Sequence, residues 1–315
     1  MKLVIQIPCY NEEETIELTI TQLPKKISGF DDVKILVIDD GSLDKTAEIA
    51  EKHGAHVVRH TNNKGLAQAF MTGLDAALKM GADVIVNTDA DNQYNAQDVP
   101  SIVQPILEGK ADMVIGTRPI SEIYEFSKIK KILQKFGSWV VRIASGTEVQ
   151  DAPSGFRALS RNTSMHINVF NNYTYTLESI IQAGQKNLTV KSVPIRVNPE
   201  TRPSRLVNNI FSYVAKSTFT IIRIFVIYKP FFFCMTISSI LTTIGALIGG
   251  RFLYNYIVLN SGGHIQSLIL ASILIGMGFQ TLILAFISDT IAANRKISEE
   301  IQHKYRTMFY ENING

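Results

Sequence analysis

Residues 82–91 read Ala-Asp-Val-Ile-Val-Asn-Thr-Asp-Ala-Asp, and the fold class turns on this stretch. Val84–Val86 is a short β-branched apolar run of the kind a buried strand carries. It leads into two carboxylates one residue apart, Asp89 and Asp91. In open α/β sheets, ligands bind beyond the carboxyl ends of the strands. Mg²⁺ prefers hard oxygen donors and is commonly held by one or two carboxylates plus substrate phosphates. An Asp-x-Asp at such a strand end therefore suits a metal–diphosphate. Two surface carboxylates flanking an ordinary loop are the plainer alternative.

Working outward, strand and helix patterns alternate. Leu3–Ile7, Lys34–Ile38, His56–Arg59, Val84–Asn87 and Met113–Gly116 read as strands. Glu13–Leu23, Asp44–His53, Gly65–Met80 and Asp98–Glu108 read as helices between them. Such alternation predicts an α/β domain with a mainly parallel sheet covered on both faces. After Gly155 the pattern loosens, and Leu188–Val197 reads as one or two strands around Pro194. His53, His56 and His60 span a helix end and a strand, so they share no face; we read them as solvent-exposed histidines rather than metal ligands.

The chain has 315 residues, room for two folding units, and a net charge of +3, which gives no sign of a nucleic-acid partner. Residues 230–250 and 265–288 contain no Lys, Arg, Asp or Glu. Each is long enough to cross a hydrocarbon core of about 30 Å as a helix. The spans are Phe231–Gly250 and Leu268–Ile287, joined by the short link Arg251–His264. Arg223 and Lys229 precede the first span, and Arg295, Lys296, Lys304 and Arg306 follow the second. By the positive-inside rule both ends face the cytoplasm, as does the large N-terminal part. This predicts a multi-pass protein of the cell (inner) membrane. Gly245-x-x-x-Gly249 allows close helix approach; we read it as favouring a homo-oligomer contact over one inside the hairpin. Cys9 and Cys234 are the only cysteines, one on the first strand and one in a span, so no disulfide is expected.

The first strand runs into Pro8-Cys9-Tyr10-Asn11-Glu12-Glu13. A dinucleotide fold would place Gly-x-Gly-x-x-Gly there. What stands instead is an aromatic ring with side-chain acceptors, suited to a nucleoside. The second strand ends in Asp39-Asp40-Gly41-Ser42, and a carboxylate at Asp39 can accept N–H bonds from uracil or guanine. Turn chemistry explains each motif singly; three carboxylate-bearing strand ends in one sheet are harder to explain that way.

Taken together, Pro8-x-Tyr10-Asn11-Glu12, Asp39-Asp40-Gly41-Ser42, Asn63-Lys64-Gly65, Asp89-Ala90-Asp91 and Asp151-Ala152-Pro153-Ser154-Gly155-Phe156-Arg157-Ala158 resemble the GT-A-fold family 2 glycosyltransferases. The likeness is to the polyprenyl-phosphate branch, which includes dolichyl-phosphate mannose synthases and undecaprenyl-phosphate glycosyltransferases. It covers roughly residues 1–225. It implies a GT-A domain over 1–205, an amphipathic juxtamembrane segment over 206–229, a transmembrane hairpin over 230–288 and a cytoplasmic tail over 289–315. It also implies that Pro8, Tyr10, Asn11, Glu12 and Asp39 hold base and ribose. Asp89, Ala90 and Asp91 would meet the ribose–diphosphate, with Asp89, Asp91 and Gln93 as ligands of Mg²⁺ or Mn²⁺. Arg118 would meet phosphate, as would Arg157, for which a supporting salt bridge is the alternative. The family often continues Gln-His-Pro where this chain has Gln93-Tyr94-Asn95, and the Arg202-Pro203-Ser204-Arg205 segment is compressed. The Gln-x-x-Arg-Trp motif of processive members is missing, so one sugar per turnover is expected.

The implied reaction passes a sugar from a UDP- or GDP-sugar to a polyprenyl phosphate with inversion, in cell-envelope glycan biosynthesis. A lipid phosphate is already ionised and needs cations rather than a base; Lys131, Arg157, Arg202 and Arg205 are the acceptor-side candidates. Phe126–Ile143 and Leu206–Tyr228 mix basic and apolar residues as interface helices do. A lipid-hydroxyl acceptor is the competing enzyme reading, with Asp151 or Glu178 as base. A nucleotide-sensing membrane scaffold is the non-enzyme reading.

Overall fold

A computed structural model describes residues 1–119, 128–169, 175–199, 219, 223, 226–258 and 265–314; for 128–136 the description covers the helix alone. The chain divides into two units, one of Met1–Thr218 with Ile301–Gly315, the other of Phe219–Glu300.

The first unit is built on a seven-stranded sheet in the order β3-β2-β1-β4-β6-β5-β7. The strands are β1 (Lys2–Cys9), β2 (Asp32–Asp39), β3 (His56–Arg59), β4 (Val84–Asn87), β5 (Met113–Thr117), β6 (Arg157–Ser160) and β7 (Val190–Pro194). Every pair is parallel except the two that β6 makes, with β4 and β5. β1 and β4 are buried nearly end to end, as expected of parallel strands covered on both faces. Leu3, Ile5 and Ile7 share a core with Ile16 and Ile20 of α1 (Ile16–Gln22) and Val99, Ile102 and Val103 of α4 (Val99–Leu107). On the opposite face Gln6 lies under α3 (Leu66–Lys79). A Cβ at Gly73 would stand 2.4 Å from the Gln6 Oε1, so α3 approaches this closely only through glycine. The remaining helices of the unit are α2 (Thr46–Lys52), α5 (Lys128–Ser145), α6 (Arg161–His166) and α7 (Thr176–Gln185).

The five expected strands and four expected helices are all present, with helix ends trimmed by one to three residues. Leu188–Val197 resolves into β7 and a single bridge from Val197 to Tyr94. β6 is the strand the sequence pattern does not announce. It has four residues, an Arg at one end and a Ser at the other, and the ladders on both sides define it. His60 departs from the expected exposure. It is 7% exposed, with Nδ1 2.7 Å from Asp40 Oδ1 and Nε2 3.0 Å from Thr72 Oγ1.

In the second unit, α8 (Pro230–Val258) and the first part of α9 (Ile265–Asn314) are long and apolar enough to cross a membrane. They pair through small residues. Ser238 Oγ donates to the Gly278 carbonyl at 2.8 Å, and a Cβ at Gly245 would stand 2.8 Å from Ile275 Cγ1 and 3.1 Å from the Ala271 carbonyl oxygen. The Gly245-x-x-x-Gly249 face is thus used inside the hairpin, with Ala271 Cβ 3.6 Å from the position a Gly249 Cβ would take. The small face fits a neighbouring helix of the same chain, the use the sequence reading placed second.

Residues 289–315 do not form a separate tail. α9 continues unbroken to Asn314, and its last turns belong to the first unit. Arg306 Nη1 donates to the Ile167 carbonyl at 2.8 Å and reaches that of Met165 at 3.4 Å, satisfying carbonyls at the end of α6. The Tyr310 hydroxyl donates to Asp75 on α3, and the His303 ring stacks on His166 with centroids 3.4 Å apart. The 206–229 segment, apart from Phe219, Arg223 and 226–229, lies outside the described residues.

Candidate active site

Strand register places the polar residues. Cys9 pairs with Asp39 and Asp39 with Arg59, so three parallel strands end level with one another. Gln6 pairs with Asn87, which brings the Asp89–Asp91 loop to the same carboxyl edge. Tyr10, Asp39, Arg59, Asp89 and Asp91 therefore leave neighbouring strands in one direction.

At the end of β1, Pro8 is buried within the strand and Tyr10 is 37% exposed. Asn11 has φ +54°, a left-handed conformation that asparagine tolerates better than most residues. There its N–H donates to Ser42 Oγ at 2.9 Å and its Oδ1 accepts from Leu43 N–H at 2.9 Å. Glu12 N–H donates to Thr46 Oγ1 at 2.8 Å. These bonds fasten the loop after β1 to the loop after β2. A cavity of about 300 Å³ lies between them, lined by Asn11–Thr15, Leu43 and Asp44. Its glutamates repel a diphosphate, so the sheet edge suits the donor better. Asp39 is wholly buried; its Oδ1 accepts from Ser42 N–H at 2.8 Å, and Arg59 Nε lies 3.0 Å from its Oδ2. That contact is an ion pair without hydrogen-bond alignment, and Oδ2 has no aligned donor among the described residues. Asp40 turns the other way and accepts from Lys64 and Gly65 N–H at 2.9 and 2.8 Å, which fixes the Asn63-Lys64-Gly65 turn at the start of α3.

After β4, Asp91 Oδ1 accepts from Gln93 N–H at 3.1 Å. Asp89 is wedged against Gly155, where a Cβ would stand 2.7 Å from both carboxylate oxygens. Burial, and then the charge of Asp91, push its pKa up to about 7, against the pull of Arg118, Arg157 and a Tyr94 hydrogen bond. Two carboxylates and the Gln93 amide offer the hard oxygen donors that Mg²⁺ or Mn²⁺ takes, and a divalent charge is what would keep Asp89 ionised.

Arg118 is 9% exposed and grips the fully buried Asp151 with a two-point fork, Nε to Oδ2 at 2.7 Å and Nη2 to Oδ1 at 3.0 Å. Burial works against its charge, but Tyr94, Asp151 and Asp89 more than offset this and raise its pKa. Arg157 is wholly buried. Its Nη1 donates to Thr176 O at 3.1 Å and Ser179 Oγ at 2.7 Å, its Nη2 donates to Ser154 O, and Tyr175 lies under it at 5.1 Å. Burial lowers its pKa. This placement is that of an internal post for the Ser154–Gly155 turn rather than of a residue facing a lipid phosphate. Lys131 lies on α5 within the stretch described as helix alone, and Arg202 and Arg205 lie outside the described residues.

Four residues of this site are absent from the sequence reading. Arg59 closes the third parallel strand, and the rule that picked Asp39 and Asp89 would have picked it. Tyr94, Asn87 and Asn198 act on backbone groups distant in sequence. Tyr94 is buried and stacked on Phe156, and its hydroxyl accepts from Gly155 N–H at 2.9 Å. Asn87 Nδ2 donates to the Gly155 carbonyl at 2.9 Å and to the Tyr175 hydroxyl at 2.8 Å.

Residues 4–169 match the sequence profile of the family described as Glycosyl transferase family 2. The chain belongs to that family. Among its relatives, the UDP-N-acetylglucosamine–dolichyl-phosphate N-acetylglucosaminyltransferase of Methanococcus voltae is 30% identical over 213 residues, spanning 60% of this chain and 83% of that protein. The undecaprenyl-phosphate mannosyltransferase of Micrococcus luteus is 29% identical over 206 residues, 62% of this chain and 83% of that one. The glucosyl-3-phosphoglycerate synthase of Mycobacterium tuberculosis, solved with Mn²⁺, UDP and product, superposes with a TM-score of 0.54 at 21% identity, over 71% of this chain and 78% of that chain. This family 2 glycosyltransferase therefore has a GT-A-like fold, a mostly parallel mixed sheet followed by two apolar helices.

Proposed function

We propose that this glycosyltransferase moves one sugar from a UDP- or GDP-sugar to a polyprenyl phosphate, with inversion, at the cytoplasmic face of the cell membrane. The observation that carries the choice of acceptor is the buried Arg118–Asp151 fork. A hydroxyl acceptor needs a general base within reach of its proton. Asp151 is 0% exposed with both oxygens held by arginine, so it is poorly placed to serve. A phosphate acceptor is already an anion and needs no such group.

In this reading Pro8, Tyr10, Asn11 and Glu12 frame the base and ribose, and Asp39 offers its Oδ2 to a base N–H. Asp89, Ala90 and Asp91 border the ribose–diphosphate. Asp89, Asp91 and Gln93 would hold Mg²⁺ or Mn²⁺, which as a Lewis acid supplies stabilisation of the leaving diphosphate. Arg118, already oriented by Asp151, adds positive charge behind that site without having to reorganise. Lys131, Arg202 and Arg205 receive the acceptor phosphate, and Arg157 supports the turn beneath. The names of the relatives agree with a lipid-phosphate acceptor.

The test uses purified full-length protein in detergent with its nucleotide-sugar donor. A polyprenyl phosphate should be glycosylated and the same chain ending in an alcohol ignored. Equal use of the alcohol would transfer the assignment to the hydroxyl reading and make Glu178 the base to examine.

A further inference from the structure

Three things converge on Asp89. The Gly155 Cα stands where only a glycine admits the carboxylate, since any Cβ would lie 2.7 Å from both its oxygens. The Tyr94 hydroxyl accepts the N–H of that same Gly155 at 2.9 Å. The Tyr94 ring is itself fixed, 4% exposed and stacked on Phe156 with centroids 5.2 Å apart.

The loop carrying Asp91, Gln93 and Tyr94 is also held from behind. Asn198 donates from its N–H to the Gln93 carbonyl at 2.8 Å, and from Nδ2 to the carbonyls of Asn92 at 2.9 Å and Tyr94 at 3.3 Å. One side chain and its own amide thus take three consecutive carbonyls. Asn92 sits between the two candidate ligands Asp91 and Gln93 with φ +56°, so the loop bends where Asn198 grips it.

We propose that Tyr94 is the positioning residue of the metal site: its hydroxyl fixes the Gly155 amide, the glycine against which the Asp89 carboxylate rests, and Asn198 locks the loop in that form. The inference rests on the reading of Asp89, Asp91 and Gln93 as metal ligands. Groups that orient metal-binding carboxylates commonly change affinity or activity by roughly 10–100-fold when removed. Tyr94→Phe deletes one oxygen and keeps the ring packing.

The experiment titrates full-length protein in detergent with Mn²⁺ alone, following free and bound metal by electron paramagnetic resonance. Wild type should bind Mn²⁺. Tyr94→Phe should bind it roughly 10–100-fold more weakly, with an altered bound-metal spectrum. Its metal-free melting temperature should fall, because the Gly155 N–H loses its acceptor, whereas Ile102→Val, a core variant destabilised away from the loop, should bind Mn²⁺ as wild type does. Asn198→Ala should weaken Mn²⁺ binding in the same direction with Tyr94 intact. Wild-type affinity in Tyr94→Phe overturns the proposal. So does an equal weakening of Mn²⁺ binding in Ile102→Val, which would make the effect one of stability alone. A wild type that binds no Mn²⁺ defeats the metal reading itself, and this inference with it.

Discussion

At the residue scale, the Asp-x-Asp pair separates into two environments. Asp91 takes a backbone N–H from its own loop, whereas Asp89 is pressed against Gly155 with its pKa raised. Asp91→Asn should keep the fold and abolish nearly all sugar transfer, and excess chelator should do the same to wild type. Full turnover in chelator would refute metal use. The raised pKa of Asp89 also gives a pH dependence of defined sign. In the unfolded chain an aspartate ionises near its ordinary value of about 3.9. In the folded, metal-free protein Asp89 stays protonated to about 7. Its contribution to stability is then fully present below the unfolded value and is lost as pH rises through about 4 to 7. Melting curves of metal-free protein across that window should show the decline, Asp89→Asn should flatten it, and added Mn²⁺ should counter it, because metal binding displaces the proton. The residues proposed to meet the base were legible in the sequence because strand ends are readable from local apolar runs. Tyr94 and Asn198 were not, since they act on main-chain groups that only folding brings near.

At the element scale, the last turns of α9 are the largest departure from expectation. Their sequence follows the apolar span and reads as a tail, but its partners lie on α3 and α6, far back in the chain. No local pattern announces a contact between Tyr310 and Asp75, or between His303 and His166. The stack has a consequence for pH. Burial lowers the His166 pKa, and burial followed by the charge of His166 lowers that of His303. Lys186 and Arg306 add to the second effect, and Asp112 opposes the first. The unfolded chain protonates these rings near 6.5, before the folded one does, so their contribution holds above that value and falls away as pH drops below it. Amide protection over 301–314, corrected for the intrinsic pH dependence of exchange, should fall between pH 7.5 and 5.5, and His303→Gln should remove most of the difference. Unchanged protection would show that the stack is not what holds these turns. β6 was hidden for a related reason: an arginine at a strand end gives no core signal, and it takes the Thr176 and Ser154 carbonyls and the Ser179 hydroxyl to make the burial of Arg157 tolerable.

At the scale of the whole molecule, the proposed sides of the membrane rest on the charge asymmetry around the apolar spans. We expect a cysteine placed at Ser261 to react with an impermeant thiol reagent in intact cells and one at Ser298 to be spared; the opposite pattern would invert the topology. The catalytic unit is also discontinuous, because Ile301–Gly315 returns to it after the hairpin. During synthesis the sheet leaves the ribosome first and the hairpin next, and the turns that cover α3 and α6 come last. A nascent enzyme therefore spends an interval with its domain unfinished while its anchor is already being inserted. A shortened version cut before residue 219, the obvious choice for crystallisation, would be arrested in that interval. It should melt lower than the full chain, and a separate peptide spanning 301–314 should restore part of the loss.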